Sequence, residues 1–197
     1  QKKRRILLGD ALVKLGFIDK KTLQQEITAH QSYQTEHQET LTVSMETVPH
    51  KHVVQTFIDT SITLFGRIIH EYFLVDNVDT GSLKEDQSLY CFQQEVSGDK
   101  PFNLVFSLTE EVVLKIEEKL HKEKSDRINE YSLNAVKEFI NIISARASIK
   151  LRENKLQLKI NPVEIIPSDG HQPSTTQNVI ANLISPQQRL QLQMKFA

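Results

Sequence analysis

The chain has little of what usually betrays a chemistry. Cys91 is the one cysteine among 197 residues, so neither an internal disulfide nor a cysteine-based zinc site can form. A reducing, cytoplasmic setting is consistent with that usage. Neither sign of charge dominates: Lys and Arg number 24, Asp and Glu 25, and the net charge is −1. Bulk electrostatics therefore point to no nucleic-acid partner and no membrane surface. The basic start, Lys2 to Arg5, is a local cluster that reads as a solvated helix lead-in. No apolar run approaches the ~20 residues of a membrane span, and no signal peptide is visible. The chain begins at Gln1 rather than Met, as a fragment or trimmed chain would. Phosphate loop, nucleophile elbow and zinc motif are all missing. His50 and His52 are the only close histidine pair, and i, i+2 spacing keeps them off one helix face. Asp76 and Gly81 mimic the first and sixth places of a calcium loop. Position 87 is Gln87, however, where a bidentate Glu is required.

What is present suits a globular protein. Hydrophobic residues make up 39% and charged residues 25%, enough to build one medium domain and an appendage. Residues 1–31 read as a helical hairpin: Leu8, Leu12, Val13 and Leu15 pattern a first helix, Gly16 ends it, and Asp19 caps a second. Residues 32–48 read as a polar linker, with a short strand possible over Thr40–Val48. Residues 49–197 form the main domain. A long amphipathic helix is expected over His50–Glu71, with Val53, Val54, Phe57, Ile58, Phe65 and Ile69 on its apolar side. Tyr72–Val75 extends toward a strand, and Asp76–Gln87 reads as an acidic turn region. Leu89–Glu95 and Pro101–Leu108 form a hairpin around Gly98. Thr109 caps a helix with acidic residues first and lysines last.

The strongest pattern lies in Glu130–Leu151. At about 100° per residue, Val136, Ile140, Ile143 and Ala147 fall on one core-facing stripe with Phe139 at its edge. Asn134, Glu138, Asn141 and Ala145 fall on the opposite face. A carboxylate and a carboxamide thus stand as i, i+3 neighbours on the exposed side, beside a small residue. After a turn at Asn154–Lys155, Leu156, Leu158 and Ile160 alternate as a strand ending at Asn161-Pro162. Val163–Ile166 is a separate extended piece, and Pro167–Gln177 a polar loop. Asn178–Ile184 and Leu190–Phe196 close the chain as a hairpin. Hairpins dominate, so the fold class is α+β: a mostly antiparallel sheet with long helices on one face.

Two resemblances accompany these patterns. Leu8-Gly9, Leu12-Val13, Gly16, Leu23, Ile27 and Gln31 resemble one half of the MshEN-type N-terminal domain of type II secretion and type IV pilus ATPases. A tandem pair of such motifs in that family can bind cyclic di-GMP. This chain has one copy, Leu7 where an arginine is usual, and its Gln one place late. A linker or dimerisation hairpin is the simpler reading, and a cyclic di-GMP sensor the alternative.

Asn134, Glu138, Asn141 and Pro162 resemble the signature of the CheC/CheX chemotaxis phosphatases: small polar residue, Glu, Asn, a gap of about twenty, then Pro. Asn134 stands where Asp or Ser is usual. The order of elements from Pro49 onward also resembles that family. Aligning Phe57-Ile58-Asp59 with Phe139-Ile140-Asn141 puts Thr56 and Asp59 where a second Glu/Asn pair would be. The single pair is similar to the CheX pattern. The resemblance implies a CheC/CheX-like fold over residues 49–197 and a protein-aspartyl-phosphate phosphatase acting on a phosphorylated CheY-like receiver domain. Asn141 would orient the attacking water and Glu138 would pair with the receiver's lysine. Asn134 and Ala145 would border the docking surface, and Pro162 would be a backbone element. The Mg²⁺ would be the receiver's, this chain having no cofactor of its own, and the protein would be a homodimer. A non-catalytic interaction module on the same fold is the competing reading.

Overall fold

The computed structural model describes residues 13–25, 48–80, 89–122, 124–167 and 178–196. The chain divides into two compact units, Gln1–Thr40 and Leu41–Ala197. In the first, the backbone leaves a helix after residue 14 and reverses at Gly16, whose φ is +74°. That left-handed conformation costs glycine nothing. Asp19 then caps the helix over residues 20–25, accepting from the Thr22 backbone N–H and hydroxyl at 2.8 Å each. Leu8, Gly9, Leu12, Ile27 and Gln31 of the MshEN-like motif lie outside the described residues, as do residues 40–47 of the short strand expected over Thr40–Val48.

Among the described residues, the second unit carries three α-helices and a six-stranded sheet. Helix α1 (Lys51–Leu64) leads into a π-helical turn, Phe65–Ile69, before β1 (Leu74–Thr80). β2 (Tyr90–Gly98) and β3 (Phe102–Leu108) follow as a hairpin, then α2 (Glu110–His121) and α3 (Glu130–Glu153). β4 (Leu158–Ile166), β5 (Asn178–Ile184) and β6 (Arg189–Phe196) complete the chain. The strands lie in the order β1-β5-β6-β3-β2-β4, with every neighbouring pair antiparallel. This is the expected α+β class.

The core follows the periodicity. Val53, Val54, Phe57 and Ile58 of α1 meet Val136, Phe139, Ile140, Ile143 and Ala147 of α3 and the inward row of the sheet, including Phe92, Leu104, Phe106, Leu192 and Met194. Phe57 packs edge-on against Phe102, and Phe65 against both Phe73 and Phe139, with ring centroids 4.8–5.3 Å apart. Phe139, at the edge of the α3 stripe, is thus also buried in the core. Only glycine fits the β2–β3 turn: Gly98 has φ +114°, and a Cβ there would come within 2.3 Å of the Gln157 carbonyl oxygen.

Three sequence expectations are corrected. The helix expected to run unbroken to Glu71 ends as α at Leu64 and widens into the π turn. Its apolar stripe continues through that turn, because Phe65 and Ile69 are both buried, so periodicity alone gave no warning. Asp76 to Thr80, expected as a turn, continue β1, where Val78 pairs with Ala181. Acidic and polar residues fit there because β1 is an edge strand with one solvated side. The two pieces expected on either side of Asn161-Pro162 are one strand, β4. Proline is tolerated because β4 is the other edge and bulges at that point: Gln94 faces Val163 and Val96 faces Ile160, leaving Asn161 and Pro162 opposite Glu95 alone.

Candidate functional site on helix α3

Local rules define where α3 starts. Asn129 accepts from the backbone N–H groups of Tyr131 (2.8 Å) and Ser132 (3.1 Å), and the Ser132 hydroxyl accepts in return from the Asn129 N–H at 3.2 Å. This is a reciprocal capping box. The Ser132 hydroxyl also donates to the buried Glu117 of α2 at 2.8 Å, and Ser125 donates to the other Glu117 oxygen at 2.9 Å. Glu117 thereby ties the first turn of α3 to α2, and a carboxylate is favourably placed at a helix N-terminus. The rotation of α3 about its axis is set by this anchor together with the buried stripe.

That rotation leaves Asn134, Glu138, Asn141 and Ala145 exposed, one above another along α3. The Glu138 carboxylate is mostly in solvent and lies 3.4 Å from His121 Nε2, at the end of α2. Asn141 is held from beneath. Its Oδ1 accepts from Gln94 Nε2 at 2.7 Å. Gln94 is completely buried. Its Nε2 also donates to the Asn161 backbone carbonyl (2.8 Å), and its Oε1 accepts from the Ser144 hydroxyl (2.5 Å). Pro162, one residue on, is exposed in the bulge of β4. The structure thus brings Asn141 and the Asn161-Pro162 step to one buried amide. Glu138 stands one turn away on the same helix, between Asn134 and Asn141.

Gln94, Ser144, Asn161 and His121 were not singled out from the sequence. Gln94 carried a usable signal: it occupies an inward position of β2, between Phe92 and Val96, where an apolar residue is the norm. The corresponding face of α1 is built differently. Thr56 is buried, and its hydroxyl bonds back to the His52 carbonyl at 2.7 Å. Asp59 is exposed. Desolvation pushes its carboxyl above the usual aspartate range, and Lys150 of α3 partly opposes that. Among the described residues no three His, Cys, Asp or Glu side chains are grouped as metal ligands, and no helix is long and apolar enough to cross a membrane.

No family model matches the chain, and no curated protein matches it in sequence. Solved structures do match in fold. A CheC-like superfamily protein from Shewanella sp. PV-4 superposes with a TM-score of 0.65 at 15% identity, covering 74% of this chain and 97% of its own. Chemotaxis protein CheX from Vibrio vulnificus gives 0.65 at 13% identity, with 74% and 99% covered. The CheX of a CheX–CheY–BeF3–Mg complex from Borrelia burgdorferi gives 0.55 at 17% identity, with 73% and 96% covered. The capped helices, the six-stranded antiparallel sheet and these superpositions agree: residues of the second unit adopt the CheC/CheX-like fold.

Proposed function

We propose that this protein is a CheX-like phosphatase that hydrolyses the phosphoaspartate of a CheY-like receiver domain. The observation that carries this reading is the exposed Glu138–Asn141 pair on α3, with Asn141 anchored to a buried amide, in a CheC/CheX-like fold. A neighbour of the same fold is a CheX solved in complex with CheY, BeF3 and Mg²⁺, which supports a receiver partner.

The chemistry asks little of the chain. An acyl phosphate is already activated, so catalysis reduces to placing water in line and stabilising charge. A carboxamide suits water placement because it both donates and accepts. In this reading Asn141 enters the receiver's site and orients the water. Glu138 leaves His121 to pair with the receiver's lysine. Asn134 and Ala145 border the contact, the small side chain letting the receiver approach closely. The Mg²⁺ is the receiver's own. The protein works as a homodimer, as the resemblance implies, in the reducing cytoplasmic setting with which its single cysteine is consistent.

The test is the lifetime of a phosphorylated receiver with and without the protein. The expected result is faster phosphate loss, reduced about 10²-fold or more by Asn141→Ala and strongly by Glu138→Ala, with circular dichroism unchanged. Receiver lifetimes that neither the wild type nor the variants alter, across all candidate receivers, would sink the enzyme reading. Binding without acceleration would mark an interaction module instead.

A further inference from the structure

We infer that Gln94 is a positioning residue that fixes which way the Asn141 carboxamide faces. The argument starts from an atom that cannot change role. A backbone carbonyl only accepts, so the Gln94 atom 2.8 Å from the Asn161 oxygen is the amide nitrogen. That nitrogen's other N–H points at Asn141, 2.7 Å away. The Asn141 atom it meets must accept, and is therefore Oδ1. Ser144 closes the set, its hydroxyl donating to Gln94 Oε1 at 2.5 Å. Both N–H groups and the carbonyl of Gln94 are thus engaged, in a position with no solvent exposure. Water does not compete for these bonds, which strengthens them.

The consequence reaches the surface. Asn141 Nδ2 is turned away from Gln94, and Oδ1 keeps its second lone pair. A donor and an acceptor are therefore presented in a set order, without the two-fold flip open to a free amide. The bulge makes this possible. Leaving Asn161 and Pro162 unmatched against Glu95 aims the Asn161 carbonyl at Gln94, and proline has no N–H to leave unpaired. Pro162 acts on Asn141 through this backbone step and Gln94. The catalytic consequence rests on the phosphatase reading above, whereas the orientation of Asn141 does not.

The experiment compares the full chain with Gln94→Leu and Gln94→Glu. Nitrogen-15 relaxation and NOEs of the Asn141 side-chain amide are measured beside turnover of a phosphorylated receiver. Gln94→Leu is expected to release the Asn141 amide into fast reorientation and to lower kcat about 10²-fold with KM unchanged. Gln94→Glu, of nearly the same shape, places an acceptor where the N–H stood and is expected to turn Asn141 so that Nδ2 faces inward. Should Gln94→Leu not fold, Ser144→Ala loosens Gln94 and is expected to shift both readouts in the same direction by less. An Asn141 amide equally ordered and equally facing in all variants overturns the inference. A rise in KM at constant kcat overturns its catalytic part. Wild-type protein inactive on every receiver removes the phosphatase reading, and the relaxation data then decide the inference alone.

Discussion

Helices α1 and α3 share a local plan and differ in what lies beneath it. Each buries a Phe-Ile pair, Phe57-Ile58 and Phe139-Ile140, and turns the next residue outward. On α3 that residue is Asn141, gripped by a buried glutamine from β2. On α1 it is Asp59, a carboxylate near Lys150, and the preceding Thr56 is spent on its own helix. The same amphipathic stripe therefore serves the core in both helices. Among the described residues, it is α3 that has a buried amide below its outer face bonded to an exposed side chain. A site needs that support as well as the right residue at the surface.

The core half of the comparison predicts the largest effects. Phe57→Ala and Phe139→Ala should each cost about 3–5 kcal/mol, read from chemical denaturation. The two helices are expected to be nearly equal here, and a much smaller loss for Phe139 would remove it from the core. The surface half predicts asymmetry. Asp59→Asn puts the carboxamide of α3 on α1, yet receiver dephosphorylation is expected to stay at the wild-type rate, because neither Glu138 nor Gln94 has a counterpart there. A clear gain in rate would break the comparison.

The same variant has a pH signature. Desolvation raises the folded-state pKa of Asp59, so its contribution to stability is present in acid and is lost as pH rises through the folded pKa. Asp59→Asn is therefore expected to be slightly more stable than wild type at neutral pH, with the difference vanishing in acid. Thermal melts across that range check it, and a destabilised variant at neutral pH would reverse the sign. The smallest effect concerns His121. Removing it by His121→Ala frees Glu138 from a partner 3.4 Å away and should strengthen receiver binding by about 0.2–1 kcal/mol, less at high salt. Titration calorimetry at two ionic strengths measures it, and weaker binding would make His121 a contact with the receiver rather than a competitor.

Much of this was legible along the chain. The apolar period of Glu130–Leu151 placed Glu138 and Asn141 outward, where they are. Thr109 as a cap, Gly98 as a turn and the closing hairpin follow from rules spanning a few residues. The misses were of another kind. The π turn at Phe65–Ile69 keeps the apolar stripe of an α-helix, so no residue marks it. Pro162 read as a strand end because a proline interrupts most strands. It sits within β4 only because that strand is at an edge and bulges against β2. Gln94 read as one more residue of an alternating strand.

The sequence alone determined the local geometry of this protein: which segments are helical, where each starts, and which face of α3 meets water. Those outcomes depend on side-chain period and capping within a turn or two, and such interactions are written in neighbouring residues. Tertiary structure decided the rest. Strand order and edge positions depend on pairing between distant segments. The grip on Asn141 joins residues 94, 141, 144 and 161 from β2, α3 and β4. A buried amide must satisfy its donors and acceptor where it is folded in, and which groups it finds there is settled only when the sheet and helix close over it.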